Sequence, residues 1–212
     1  MPRLISWAFA IGGTILLAGS LLHPDEHVDG GTMQQQFHAM FSNANWYPSH
    51  VLLLVGLALL TVAVVGLARM TPPTLPRRTT WFAAIMAVIA TAAMVLHLVA
   101  KLDDANIVAG EKTPLLFAHA TVDTIVVPLF GIAFALLAIA GGRSRVLGNP
   151  FIAALGVIGG LGYALAAATA PFMETFTPLF ELVRLLGVWA LVIGAIHLLR
   201  GHDAWAPQMV AR

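Results

Sequence analysis

The chain has 212 residues, of which 59% are hydrophobic and only 10% are charged, whereas soluble domains carry about 25% charged residues. This composition excludes a water-soluble globular protein. The absence of cysteine excludes disulfides, thiolate metal sites and iron–sulfur clusters, so histidine and carboxylate are the ligand types that remain for a metal. We therefore predict an all-α integral membrane protein.

Six apolar runs are long enough to cross a bilayer, because a spanning helix needs about 20 mainly apolar residues. In chain order they lie at residues 4–22, 49–70, 80–101, 114–140, 150–170 and 178–199. The last three each begin with a proline that follows a capping residue: Thr113, Asn149 and Thr177. The prediction is a six-transmembrane-helix bundle that forms a single transmembrane domain over residues 1–212. We expect the first run to be a membrane helix and not a cleaved signal peptide.

The outer loop at residues 23–48 joins the first two spans. Between positions 33 and 41, Met and Phe recur at helical spacing, which predicts a short helix lying along the outer membrane interface. This helix carries His38. It could form a lid over the space below it, and the simpler alternative is a plain interfacial helix with an exposed His38.

The basic residues are distributed unevenly between the two sides of the predicted bundle. With the N-terminus inside, eight lie on the inner side: Arg3, Arg69, Arg77, Arg78, Arg143, Arg145, Arg200 and Arg212. Three lie on the outer side: Lys101, Lys112 and Arg184. Because cytoplasmic connections are enriched in Lys and Arg, we expect both termini in the cytoplasm and the protein in the inner or plasma membrane.

Ionisable residues recur at one depth in the predicted spans. Five of them lie about 20 residues from the arginine at the other end of their span: His23, His50, His97, Asp123 and Glu181. This spacing places one ionisable residue near the outer boundary of five spans. It also suggests three tandem helical hairpins.

The fifth span has small residues in place of ionisable ones. Gly156 and Gly160 lie four residues apart, an arrangement that lets helix backbones approach closely in lipid. Packing within the bundle is the first interpretation. The alternative is a docking face for a helix-mediated oligomer or a larger membrane complex.

The fourth span carries the strongest candidate for a functional site. His119 and Asp123 are four residues apart and share a helix face, and an ionisable residue inside a span is costly enough to be a functional candidate. Pro128 is predicted to kink the helix just below them. Neutral imidazole is a common ligand for haem iron, copper and zinc. The leading hypothesis is a b-type haem or a transition metal ion, copper or zinc, in a redox or metal-handling role, with four ligands: His50, His97, His119 and Asp123.

Each of these residues also has a structural interpretation. The His119 and Asp123 pair could be an interhelical hydrogen-bonding device, and His50 and His97 could be interfacial residues with their rings in water. His23 and His27 could bind a metal if a helical turn joined them, although an acidic surface loop is the more common outcome for such a segment.

Two further hypotheses belong to other functional classes. Asp123, Glu181 and Arg184 could line the cavity of a small-solute or proton-coupled transporter or receptor. Arg184 is also a candidate for cofactor binding through a haem propionate, and the simplest alternative is an ion pair with Glu181, three residues away. The remaining hypothesis is a structural or assembly subunit of a membrane complex.

Several function classes have no motif in the chain. Nucleotide-binding glycine loops, the zinc-protease motif H-E-x-x-H and the nucleophile-elbow motif G-x-S-x-G are all absent. The arginines are scattered and are explained by topology, so no nucleic-acid partner is expected. No motif assigns an enzymatic reaction.

Overall fold

The structure is a computed structural model that describes residues 1–24, 32–70, 72–111, 113–169 and 174–200. All regular structure in these ranges is helical. The α-helices are α1 (Arg3–Leu22), α2 (Met33–Ser42), α3 (Trp46–Met70), α4 (Arg77–Val99), α5 (Asp104–Val108), α6 (Pro114–Thr121), α7 (Val127–Arg143), α8 (Pro150–Thr169) and α9 (Val183–Leu199). Three other helical segments join them: 3₁₀ turns at Ala100–Asp103 and Glu174–Leu182, and a π-helical turn at Val122–Val126.

Six helical segments in the described part of the chain are long and apolar enough to cross a membrane. They are Arg3–Leu22, Trp46–Met70, Arg77–Val108, Pro114–Arg143, Pro150–Thr169 and Pro178–Leu199. This confirms the all-α prediction with six candidate membrane helices. The third segment continues beyond its predicted end at residue 101, because a 3₁₀ turn and α5 extend it. The second segment begins at Trp46, earlier than predicted. Pro48 then lies in the first helical turn, where no backbone N–H is needed.

Two of the three predicted helix starts are confirmed by capping hydrogen bonds. The Thr113 hydroxyl accepts from the Leu116 N–H at 3.1 Å, and the Asn149 side-chain oxygen accepts from the Ile152 N–H at 2.9 Å. The third was wrong, because Thr177 and its following proline lie inside the 3₁₀ segment Glu174–Leu182. Proline lacks the N–H that an α-helical ladder requires, and the regular helix begins only at Val183.

The six long segments pack in chain order and close into a ring. α1 packs on α3, α3 on α4, α4 on α7, α7 on α8 and α8 on α9, and α9 packs back on α1. Successive segments run in opposite directions, so the end of α1, the start of α3, the end of α4 and the start of α6 lie at one end of the bundle. We call this end the cluster end.

Aromatic rings and close glycine contacts fill the interior of the ring. Trp189 is fully buried, and the rings of Phe9 and Phe134 lie nearly perpendicular to it, with centroids 6.1 and 6.3 Å away. Gly156 lies against Trp189 on α9, and Gly160 lies against the backbone of α7. The predicted face of α8 is therefore occupied by the chain's own helices, and an oligomer or larger complex stays a prediction.

The short helix α2 lies at the cluster end, where it contacts α3 and α5. It begins with a capping box, in which the Thr32 hydroxyl accepts from the Gln35 N–H and the Gln35 side chain accepts from the Thr32 N–H. Phe41 is fully buried against the bundle. The predicted short helix in the loop after the first span is therefore present, with Phe41 on its buried side.

Candidate metal site

Four histidines meet at the cluster end, three of them in helices and one directly after a helix. His23 directly follows α1, His50 lies near the start of α3, His97 is in the last turn of α4 and His119 is in α6. Asp123 follows His119 by one turn. We call these five residues the histidine cluster.

The four imidazoles form a continuous row. Ring centroids are 4.8 Å apart for His23 and His50, 4.9 Å for His50 and His97, and 4.1 Å for His97 and His119. His50 and His119 are 0% and 1% exposed, whereas His23 and His97 are partly exposed. The structure therefore brings together all three histidines that the sequence singled out as ligands, and adds His23.

Asp123 is the carboxylate of the cluster and contacts two of its rings. One oxygen lies 3.2 Å from Nε2 of His119, and the other lies 3.4 Å from Nδ1 of His97. The first contact was predicted from the four-residue spacing. The second was not, because it joins two helices that are distant in sequence.

A π-helical turn surrounds Asp123. The Val127 N–H bonds to the Val122 carbonyl, which makes a wider turn than the α-helical ladder on either side. Pro128 follows directly and has no N–H to donate. A π turn, a feature frequently found at functional sites, therefore runs from Val122 to Val126 just before Pro128, and the predicted kink stays a prediction.

Hydrogen bonds to backbone carbonyls orient two of the imidazoles. Nδ1–H of His50 donates to the Trp46 carbonyl at 2.7 Å, and Nδ1–H of His23 donates to the Pro24 carbonyl at 2.9 Å. In each ring Nε2 then carries the lone pair that a metal needs. Nε2 of His50 is buried and has no hydrogen-bond partner among the described residues. Metal-binding histidines commonly have this arrangement, in which the other ring nitrogen is held by a carbonyl.

Aromatic side chains cover the row of imidazoles. Trp46 stacks on His50 with ring centroids 3.8 Å apart. The rings of Phe37 and Phe41 of α2 lie nearly perpendicular to His119, with centroids 5.0 and 6.1 Å away. These rings exclude water from His119. Neither of its nitrogens has a hydrogen-bond partner among the described residues, although Nε2 lies at ion-pair distance from Asp123.

Two overlapping sets of ligand atoms result. The atoms of His97, His119 and Asp123 all lie within 4.8 Å of one another, and the same is true of His23, His50 and His97. Three ligands at such separations can move onto one ion through small side-chain rotations, since metal–ligand bonds of about 2.0–2.2 Å place ligand atoms roughly 3 Å apart. His97 belongs to both sets.

The other predicted candidates lie elsewhere. Arg184 forms an ion pair with Glu181 and donates to the Ser20 carbonyl at 3.5 Å. It does not pair with Asp123, whose ion pairs among the described residues are with histidines alone. His38 is half-exposed on α2 and pairs with Asp104 at 2.9 Å. His197 contacts the Val146 carbonyl at the opposite end of the bundle.

Two histidines, His27 and His202, lie outside the described residues. The proposed pairing of His23 with His27 therefore stays a prediction.

The chain was also compared with known proteins. No protein-family model, no curated protein and no solved structure matches it. The functional interpretation therefore rests on the side chains themselves.

Proposed function

We propose that this protein is an integral membrane protein that binds one transition metal ion, zinc or copper, in a metal-handling role. The ligands of the ion are His97, His119 and Asp123. The observation that supports this most directly is the convergence of two imidazoles and one carboxylate from two successive spans, with all ligand atoms within 4.8 Å. Two nitrogens and one oxygen form a donor set that suits zinc and its neighbours and leaves a position for an exchangeable ligand.

Burial gives His119 a reason to bind an ion. A polar atom that is buried without a hydrogen-bond partner costs free energy, and both nitrogens of His119 lack one among the described residues, although Nε2 lies 3.2 Å from Asp123. An ion held by His97, His119 and Asp123 would satisfy one nitrogen of His119 and would balance the charge of the carboxylate.

The ring geometry favours an ion over b-type haem. Two imidazoles that bind a haem iron from opposite faces have their ligand nitrogens about 4 Å apart. Each ring lies beyond its own nitrogen, so the two ring centroids are well over 4 Å apart along the iron axis. In the cluster the neighbouring rings are stacked within 22° of parallel at 4.1 and 4.9 Å. Rings stacked face to face at this distance leave no layer for a porphyrin between them.

The distribution of charge supports an orientation for the site. Arg3, Arg69, Arg77 and Arg143 lie at helix ends opposite the cluster. With these arginines in the cytoplasm of the inner or plasma membrane, both termini are cytoplasmic and the cluster faces the extracytoplasmic side. The ion would therefore be taken from, or presented to, that side.

Metal content tests the proposal. We would purify wild-type protein after growth with zinc and with copper, and measure bound metal and the absorbance spectrum. Wild type should carry about one zinc or copper ion per chain and no haem absorbance. His119→Ala should lose most of the metal, because one ligand bond is gone and Asp123 is left less well paired. His197→Ala, at the opposite end, is the matched control and should keep it.

A different result would overturn the proposal. Metal-free wild-type protein would do so, as would equal metal content in His119→Ala and His197→Ala at matched folded yield. Haem absorbance in the wild type would favour the haem hypothesis over a bound metal ion.

A further inference from the structure

A cleft opens at the end of the bundle opposite the histidine cluster, where the last turns of α7 meet the segment that leads into α4. Its volume is about 410 Å³, which is within the range of about 300–1,000 Å³ for small-molecule pockets. Six of the residues that line it are Thr74, Thr79, Leu136, Ile139, Arg143 and Ser144. We call this cleft the arginine pocket.

The positive charge at the arginine pocket is not balanced by the described part of the chain. Arg143 is exposed, and it forms no ion pair with any residue in the described ranges. Arg77 and Arg78 directly follow the pocket residue Pro76, are also exposed, and have no ion pair with a described residue either. None of the described residues that line the pocket is acidic. The pocket therefore attracts a ligand with negative charge.

Two threonine hydroxyls can donate hydrogen bonds to such a ligand. Within the described ranges the hydroxyls of Thr74 and Thr79 make no hydrogen bond, whereas the hydroxyl of the next residue, Thr80, donates to the Pro76 carbonyl at 3.0 Å. Hydroxyls donate to phosphate oxygens, and the planar guanidinium of arginine can donate to two of them at once. Thr74, Thr79 and Arg143 together form a donor set for a phosphate group.

The polarity of the pocket changes with depth along α7. Leu136, Ile139 and Arg143 are three or four residues apart and therefore share one helix face. Arg143 is the last residue of α7, and Leu136 lies about 10 Å deeper, since an α-helix rises about 1.5 Å per residue. Leu136 is 44% exposed. A charged end thus continues into an open apolar wall, as the headgroup of a phospholipid continues into its acyl chains.

We propose that the arginine pocket binds one anionic phospholipid, with its phosphate on Arg143 and an acyl chain along Leu136 and Ile139. Basic pockets between membrane helices bind the headgroups of anionic lipids. Topology explains why arginines lie at this end of the bundle. It does not explain a cleft that combines one of them with two threonine hydroxyls and an apolar wall. The site is separate from the histidine cluster, because Arg143 and His97 lie at opposite ends of the bundle.

Two features of the pocket select among molecules that contain phosphate. The apolar wall favours a lipid over inorganic phosphate, which has no acyl chain to place against Leu136. The lack of an acidic residue among the described lining residues favours a lipid with net negative charge, such as phosphatidylglycerol. The ammonium group of phosphatidylcholine would have no carboxylate to pair with in the pocket.

Native mass spectrometry of the full chain in detergent micelles tests the proposal, because it counts bound lipids and gives their affinity by titration. Wild type should bind one phosphatidylglycerol about tenfold more tightly than phosphatidylcholine, and Arg143→Gln should remove most of this difference, because a charge-assisted hydrogen bond to phosphate is lost. A large excess of inorganic phosphate should leave the lipid bound.

Arg3→Gln is the matched control. It removes the same charge from the same end of the bundle, but on α1 and outside the pocket, so it should change the affinity for phosphatidylglycerol by less than about twofold. Thr79→Val keeps every charge and should weaken binding about threefold, because one hydrogen bond to the phosphate is lost. This variant also tests the pocket if Arg143→Gln does not fold.

Three results would overturn the inference. Equal affinities for phosphatidylglycerol and phosphatidylcholine would show that the pocket does not select an anionic lipid. Equal losses in Arg3→Gln and Arg143→Gln, or wild-type affinity in Thr79→Val, would show that lipid is attracted by the general charge of this end and not by the pocket. Displacement by inorganic phosphate would make the pocket a site for a free anion.

Discussion

Trp46 holds His50 at two points. The indole stacks on the imidazole with centroids 3.8 Å apart and an interplanar angle of 27°, and the Trp46 carbonyl accepts the Nδ1–H of the same ring at 2.7 Å. Both contacts arise because the two residues are one helical turn apart on α3. The stacking fixes the plane of the ring and the hydrogen bond fixes its tautomer, so Nε2 carries the lone pair.

The first prediction uses Trp46 as an optical reporter. Cu²⁺ bound by the histidine cluster should quench Trp46 fluorescence, because the indole lies against a ligand ring. Titration of the wild type should give partial quenching that saturates at about one ion, since the chain has five tryptophans. Trp46→Phe keeps an aromatic ring on His50 and should abolish the quenching while retaining the bound copper.

The control for this titration is Trp7→Phe. Trp7 is exposed on α1, close to the end opposite the cluster, and its removal should leave the absolute loss of fluorescence on copper binding unchanged. Equal quenching in Trp46→Phe and wild type would place the copper away from the histidine cluster.

Most of the membrane architecture follows from the sequence alone. A run of about 20 apolar residues has few alternatives to a helix in lipid, because every backbone polar group must be satisfied internally. Local capping signals at Thr113 and Asn149 therefore marked helix starts correctly. The same signal failed at Thr177, where the proline that follows lies within a 3₁₀ segment.

The histidine cluster could be predicted only in part. Counting from arginine placed His23, His50 and His97 at one depth, and helical spacing paired His119 with Asp123. The count therefore contained the signal for His23, but residue spacing gives depth and not the angular position of a side chain around its helix. The contact of Asp123 with His97 depends on how α4 packs on the π turn, which is a property of the whole ring of helices.

The second prediction concerns the close packing of α1 and α9. A Cβ atom added at Gly13 would lie 2.5 Å from the backbone nitrogen of Leu191 and 2.6 Å from the carbonyl oxygen of Gly187. Backbone atoms cannot move aside cheaply, so Gly13→Ala should destabilise the protein by about 1–3 kcal/mol. Reversible unfolding in mixed detergent micelles measures this change.

Gly66→Ala is the matched control within another span. Its added Cβ would meet only the end of the Ile5 side chain, at 2.9 Å, and that chain can change its rotamer. The control should therefore be clearly less destabilising than Gly13→Ala. Equal losses of stability would show that α1 and α9 do not approach as closely as the structure describes.

The last prediction fixes the side of the membrane to which the histidine cluster faces. The chain contains no cysteine, so each introduced cysteine is a single reactive site. Glu111, between α5 and α6, and Thr74, between α3 and α4, are both exposed and lie at opposite ends of the bundle. With both termini cytoplasmic, Glu111→Cys should react with an impermeant maleimide in intact cells, whereas Thr74→Cys should react only after the membrane is permeabilised. The opposite pattern would place the arginine-rich helix ends outside and the histidine cluster on the cytoplasmic side, where it would exchange its ion with the cell interior.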